Sequence, residues 1–534
     1  MKIILQRTFA VLLVCLALAG FAPASAYDAQ PKLVVIIIID QFRGDYLDRV
    51  HGQLGQGGFR LFTDLGAHFV NCNYNYANTE TGPGHATLFT GAYSDGHGVF
   101  ANEWWDGARK KMVPVGSDDT VKLLDGTGAG FSPRVLLADT IGDELKLSTD
   151  NKSRVFAISL KPRAAVLPGG YTANAAYWVD ADNGHWQTST YYMNALPDWV
   201  AKLNASGKAE GYWNQEWKNA SGKVMGNARK PAKAGIADWY NIVGKTPQAN
   251  DYELEFARDI IEREKLGEGP TTDLLIVSLS ANDLLGHALG PNAPQMPAMI
   301  LATDRQLSSF FSFIGQRIGL ANVWLALSSD HGVGPAPEYA ATLKLPAADV
   351  RFKKLGEQVN AALNARFSPG KNVSYLRAFS VTDVFLNEDA FTAAKIKEED
   401  AEHAAGEALK LVGMRGYYTR SQLARGEVPN TKEGIQYLHS YSPYGGWWVL
   451  SVPPPFTVSL WEGGQATHGT PYFYDTHVPV AFFGLPFEPG TYRTHCEPVD
   501  MVATLASLLG INAPSKEVGR VLTEALRQPG RSAQ

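Results

Sequence analysis

Cysteine is scarce in this chain. Three occur in 534 residues, and no two stand in a Cys-x-x-Cys spacing, which argues against a metal site built from thiolates. Cys15 falls in an N-terminal leader, which leaves Cys72 and Cys496. Spacing alone leaves open a disulfide between them or two separate buried thiols. Cationic excess is also missing. The net charge is −5, which argues against nucleic acid or an anionic membrane as the main partner. Beyond the leader no apolar run approaches the length of a membrane span, so no transmembrane helix is expected. Internal repeats and low-complexity tracts are absent. What remains, 45% apolar and 19% charged, describes a globular chain with ample core.

The leader itself is legible. Lys2 and Arg7 flank the start of an apolar run from Phe9 to Phe21, and Ala24-Ser25-Ala26 supplies a small-x-small ending. This pattern predicts an export signal cleaved after Ala26, with an apolar run too short to span a membrane comfortably. No small residue precedes Cys15, as a lipoprotein signal would require. The product, residues 27–534, is expected to be one catalytic domain, free in the periplasm or secreted, and monomeric.

Several segments read as strands buried on both faces. Lys32 to Ile39 is β-branched without alternation and runs into Asp40; Asp273 to Leu279, Val323 to Leu327 and Val478 to Gly484 are similar. Helical patterns lie between them, from Val135 to Leu147, Tyr252 to Lys265, Pro297 to Ile318 and Asp500 to Leu509. The alternation predicts an α/β fold, a three-layer sandwich around a mostly parallel sheet. Two stretches break the rhythm. Residues 171–245 are rich in Trp, Tyr, Asn and Gly and read as loops laid over the sheet edge. Residues 336–448 read as a small cap-like insertion. Glu253, Glu255, Arg258 and Asp259 are expected on a solvated helix face.

Chemistry-bearing residues gather just after the buried strands: Asp40, then Asp283 and His287, then Asp330 and His331, with His468 in a Gly-rich loop. In open α/β sheets this edge is where ligands bind. Three carboxylates and three imidazoles without a thiolate favour zinc. The i, i+4 spacing of Asp283 and His287 puts both on one helical face. The stretch Asn78-Thr79-Glu80-Thr81-Gly82-Pro83-Gly84-His85 adds a hydroxyl at a Gly/Pro-rich turn, before a helix expected to begin at His85. Free backbone N–H groups at such a place suit an anion. Lys161-Pro162-Arg163 follows the short strand Val155 to Ser159. His85, His97, Glu103 and Asp106 read as structural, and Trp104 and Trp105 either floor a pocket or pack beneath it.

In order and spacing, these pieces resemble the alkaline phosphatase superfamily, and within it the periplasmic PafA-type phosphatases with a threonine nucleophile. The matching elements are Asp40, Thr81-x-x-Gly-His85, Asn102, Lys161-x-Arg163, Asp283-x-x-x-His287, Asp330-His331-Gly332 and His468-Gly469-Thr470. The resemblance implies two zinc ions, one held by Asp283, His287 and His468, the other by Asp40, Asp330, His331 and the Thr81 oxygen. It implies that Asn102, Lys161 and Arg163 bind the phosphoryl oxygens of small phosphate esters. A phosphodiesterase on the same bimetal core is the alternative, against which Lys161 and Arg163 argue. The Cys/Ser-x-Pro-x-Arg element of formylglycine sulfatases is absent at Thr81. No spare carboxylate cluster offers a third, magnesium site.

Overall fold

A computed structural model describes residues 30–233, 235–380, 382–460 and 464–527; the leader and its cleavage point lie outside them. The strand Leu33–Ile39 is the centre of an 11-stranded sheet. It pairs in parallel with Asp273–Leu279 on one side and Val323–Ser328 on the other. All seven of its side chains are at most 1% exposed. Leu33, Val35, Ile37 and Ile39 point into one core and Val34, Ile36 and Ile38 into a second. Strand alternation therefore feeds two apolar layers at once, which is why the run shows no polar residue. Each such side chain contributes about 1.5–3 kcal/mol on burial.

Val155–Ser159 and Ala175–Val179 extend the parallel set beyond Asp273–Leu279. On the other flank His477–Phe483 runs antiparallel to both of its neighbours, Val323–Ser328 and Ala67–Asn73. The result is the mostly parallel sandwich expected from the sequence. Cys72 and Cys496 meet as a bridge pair between strand segments, both buried and both free thiols.

Several local expectations are corrected. Residues 171–245 do more than cover an edge, because Ala175–Val179 and Trp186–Ser189 join the sheet itself. Trp186 and Trp239 are core residues, so the aromatics there are packing groups. The helix read from Val135 begins only at Ile141, where Thr140 and Asp143 form a capping box. Glu253 is fully buried rather than solvated. The Pro247–Arg263 helix turns it towards the ends of the Val155–Ser159 and Asp273–Leu279 strands, and burial raises its carboxyl well above the usual range.

The insertion near 336–448 is a cap, as expected. Its four-stranded antiparallel sheet takes in Leu376–Ser380, Asp383–Leu386, Gly416–Thr419 and Trp448–Val452. Helices Phe352–Phe367 and Glu398–Leu411 pack on one face through Val359, Leu363, Ala405 and Leu409. The other face shares a core with the main body: Phe385, Tyr437 and Trp448 join Ala77, Ala86, Phe100 and Trp104.

Two outcomes follow from this packing. Ile37→Ala should destabilise the protein by about 2–5 kcal/mol, read as a shift of the urea midpoint. Burial lowers the imidazole of His97 to about 3 and that of His68 to about 4, from 6.5. Below pH 6.5 the unfolded chain binds protons that the folded chain refuses, so these groups make stability fall as pH drops through that window. The His97 ring also accepts the Val99 N–H at Nδ1, a bond that protonation would break. Urea midpoints compared at pH about 7 and about 4.5 should fall less in His97→Gln than in the parent.

Candidate metal and phosphate site

The register of the central strands brings their C-terminal ends level: Ile39 lies beside Leu279, Ile38 beside Ser328, and Ser278 beside Ser159. The residues that follow emerge on one edge. Asp40 leaves the first strand, Asp283 lies in the first turn of the helix Ala281–Leu289, and Asp330 and His331 follow Ser328. Lys161 caps the helix Pro162–Gly169, and His468 arrives on the loop before His477–Phe483.

These side chains converge. His331 Nε2 lies 3.4 Å from Asp40 Oδ1 and 3.5 Å from Asp330 Oδ2. All three atoms are buried without a hydrogen-bond partner. Asp283 Oδ1 stands 3.1 Å from His287 Nε2 and 3.8 Å from His468 Nε2. Two groupings within ligand reach result, Asp40–Asp330–His331 and Asp283–His331–His468. His331 belongs to both, and its ring stacks on His468 with centroids 3.5 Å apart. Asp40, Asp283 and Asp330 are at most 2% exposed. Among the described residues the ammonium of Lys161 bridges two of them, Asp40 Oδ2 at 2.5 Å and Asp283 Oδ2 at 2.6 Å. Burying three carboxylates against one ammonium leaves a charge deficit that divalent cations would fill.

The imidazoles are prepared for that role. Nδ1 of His287, His331 and His468 lies against the carbonyls of Ala466, Gly332 and Thr79 at 2.8, 2.9 and 2.6 Å. A proton on Nδ1 satisfies each carbonyl and leaves the Nε2 lone pair facing the carboxylates. Burial lowers the pKa of His331, and burial together with the two neighbouring imidazoles lowers that of His468. Both are therefore neutral, as ligands must be. Burial, then the Asp283 and Asp330 charges, raise Asp40. For Asp283 burial pulls the same way, but His287 and Lys161 outweigh it and hold the group ionised. Gln41, with φ of 61°, sends its N–H to Asp330 Oδ1 at 3.1 Å and its Nε2 to Asp283 Oδ1 at 2.7 Å.

Thr81 opens the helix Thr81–Thr90, four residues earlier than the expected start at His85. Its Oγ1 is 3.4 Å from Lys161 Nζ. Gly84 is required by contact: a Cβ there would lie 2.2 Å from the Asp330 carbonyl oxygen. His85 is structural, yet closer to the site than a turn residue, with Nδ1 2.9 Å from Thr81 O and 3.3 Å from Asp330 Oδ2. Asn102 Oδ1 accepts the Gly82 N–H at 2.8 Å, which turns its Nδ2 donors away from the helix. Arg163 Nε is buried without a partner. Trp104 packs between Phe100 and Tyr444 at 5.8 and 5.5 Å, while Trp105 lies under the Arg377 guanidinium.

Sequence reasoning missed Gln41, Glu80, Glu253 and Tyr240. Tyr240, from the 171–245 segment, lies within electrostatic reach of Lys161, Arg163, Asp283 and Asp40. Only Gln41 and Glu80 carried a signal, as polar residues directly flanking Asp40 and Thr81.

A mostly parallel sheet flanked by helices on both faces, with this strand-edge cluster, is the architecture of metal-dependent phosphoric-ester hydrolases. The profile of the type I phosphodiesterase / nucleotide pyrophosphatase family matches residues 34–404. The chain belongs to that family, within the alkaline phosphatase superfamily. It is 32% identical over 526 residues to a protein named calcium-transporting ATPase from Myroides odoratus, covering 93% of this chain and 95% of the relative. It is 30% identical to alkaline phosphatase PhoV of Synechococcus elongatus, covering 93% and 94% of the two chains. With alkaline phosphatase PafA of Elizabethkingia meningoseptica the identity is 28%, over 96% and 98% of the two chains. A crystal structure of a PafA variant superposes with a TM-score of 0.83 at 27% identity, covering 93% of this chain and 99% of that one.

The shared position of His331 makes a measurable difference. Zinc returned to chelator-treated protein should raise its melting temperature. His331→Ala should reduce that gain more than His287→Ala does, read by calorimetry beside metal analysis of the dialysed samples.

Proposed function

We propose that the chain is a zinc-dependent phosphomonoesterase with Thr81 as nucleophile and a phosphothreonine intermediate. It is exported after cleavage at Ala26, acts as a monomer on a broad range of small phosphate esters, and scavenges phosphate. One observation carries this reading: Asp40 Oδ1, Asp330 Oδ2 and His331 Nε2 converge without partners at the edge where Thr81 begins its helix, with Lys161 between them. The relatives add support. PhoV and PafA are named alkaline phosphatases, and the PafA variant carries changes at a threonine, an asparagine, a lysine and an arginine, the residue types of Thr81, Asn102, Lys161 and Arg163.

The residues divide the work as follows. Asp283, His287 and His468 would hold one zinc ion, and Asp40, Asp330, His331 and the Thr81 oxygen the other. When bound, the ions supply positive charge at the attacking and leaving oxygens and a lowered pKa for the nucleophile. Thr81 Oγ1 attacks phosphorus in line and the leaving alcohol departs. Water then displaces Thr81 at phosphorus, and two inversions retain configuration. Lys161 stays charged in spite of its burial, because Asp283 and Asp40 hold its proton. With Arg163 and the free Nδ2 of Asn102 it surrounds the non-bridging oxygens.

Substrate class follows from charge. A monoester brings about two negative charges and a diester one, and a guanidinium plus an ammonium match the former. Each contact would contribute roughly 2–4 kcal/mol to the transition state. The alternative, a diesterase on the same core, draws its support from the family description.

The test is kcat/KM for an aryl phosphate and for its methyl diester. The wild type should prefer the monoester strongly, and Lys161→Ala with Arg163→Ala should erase the preference. Thr81→Ala should abolish turnover while zinc still binds. Full activity in that variant, or a diester preference in the wild type, overturns the reading.

A further inference from the structure

Glu80 stands directly before the nucleophile and has no part in the chemistry above. It is nonetheless only 3% exposed, an unusual place for a carboxylate without a metal or a lysine beside it. Its Oε2 accepts the backbone N–H of Asn102 at 2.8 Å. Asn102 in turn accepts the Gly82 N–H through Oδ1. The loop that carries Asn102 is thus clipped to Glu80 and Gly82 on either side of Thr81. Its approach is fixed again by Asn78, whose Nδ2 donates to Phe100 O at 3.1 Å and to Asp383 Oδ1 at 2.8 Å. Asp383 comes from the cap, at the start of the Asp383–Leu386 strand.

The second oxygen, Glu80 Oε1, is buried and makes no hydrogen bond, and neither does Arg163 Nε. Burial raises the Glu80 carboxyl to about 7, with the Asn102 amide and Arg163 opposing the shift. By geometry this carboxylate anchors one of the groups assigned to the phosphoryl oxygens, holding Asn102 by a hydrogen bond. A buried acceptor left without a donor is destabilising and is retained where it does something else.

Resting on the phosphomonoesterase reading, we infer that Glu80 is a positioning residue. It fixes Asn102 for one free phosphoryl oxygen and so contributes to the preference for phosphate monoesters, with three such oxygens, over diesters, with two. It does not touch the substrate. Its influence reaches phosphorus through Asn102, and it predicts a change in selectivity rather than a uniform loss.

The experiment compares wild type, Glu80→Ala, Glu80→Gln, Asn102→Ala and the Glu80→Ala/Asn102→Ala double variant, all zinc-loaded, on an aryl phosphate and its methyl diester. Glu80→Ala should lower kcat/KM for the monoester by on the order of 100-fold, as removal of a charge-stabilising donor does, and for the diester by less than about tenfold. Glu80→Gln keeps an acceptor for the Asn102 N–H and should recover part of the monoester loss, so the inference stays testable if the alanine variant fails to fold. In the Asn102→Ala background, Glu80→Ala should add less than its effect alone, since part of what it positions is gone. Equal losses on both substrates in every foldable Glu80 variant, or full additivity in the double variant, would overturn the inference and leave Glu80 a packing group. A wild type that shows no monoester preference would instead overturn the reading beneath it.

Discussion

Three carboxylates are pressed together at the end of a sheet packed on both faces by largely apolar side chains, with, among the described residues, the Lys161 ammonium to balance them. Asp40, Asp283 and Asp330 could not stand there as isolated charges, because desolvation would be too expensive. The surroundings are arranged to make the cluster tolerable and leave it short of positive charge. Gln41 gives two N–H donors to two of the carboxylates, in a left-handed backbone conformation that a side chain adopts only under compulsion. Three imidazoles are fixed through Nδ1 so that lone pairs face inward. Lys161 crosses from the next strand end. Thr81, Asn102, Arg163 and the tight Gly84 contact are all placed around this cluster, so its electrostatics govern the rest of the site.

The apolar framework carries that strain. Central strands that fill both cores cannot slide in register without exposing side chains on two faces. A rigid sheet therefore fixes the relative heights of Asp40, Asp283, Asp330 and Lys161, which come from positions up to 290 residues apart in the chain. Chemistry that depends on distances of a few ångströms is delegated to the part of the molecule least able to move.

The sequence announced the framework clearly. Lys32 to Ile39 was legible because a doubly buried strand shows an unbroken apolar run, here ending abruptly at Asp40, and Asp273 to Leu279 reads alike with Ser278 as its one polar residue after Asp273. The buried cluster of carboxylates and imidazoles was legible for the same reason, as polar residues at the ends of such runs. Less was visible where tertiary contacts override local pattern. The Thr81 helix starts before any periodicity develops, because its first turn is Gly- and Pro-rich. Glu253 has the look of a surface charge on an amphipathic helix, and only the packing of that helix against two strand ends buries it. The 171–245 segment lacks periodicity because its strands are short and its aromatics face a core made elsewhere. Glu80 is adjacent to Thr81, yet nothing in its neighbours announces that its partner lies 22 residues away on the Asn102 loop.

The cap shares a core with the segment that leads into Thr81. Phe385, Tyr437 and Trp448 lie in the same cluster as Ala77, Ala86 and Phe100. Such an insertion is not a detachable module. Exchanging it wholesale between relatives would strip apolar cover from the residues that flank Thr81 and Asn102, so divergence of the cap and tuning of the surroundings of Thr81 are bound to proceed together. Variation in substrate range across such enzymes would then arise through coordinated drift of two sequence segments, rather than by grafting one loop onto an unchanged body.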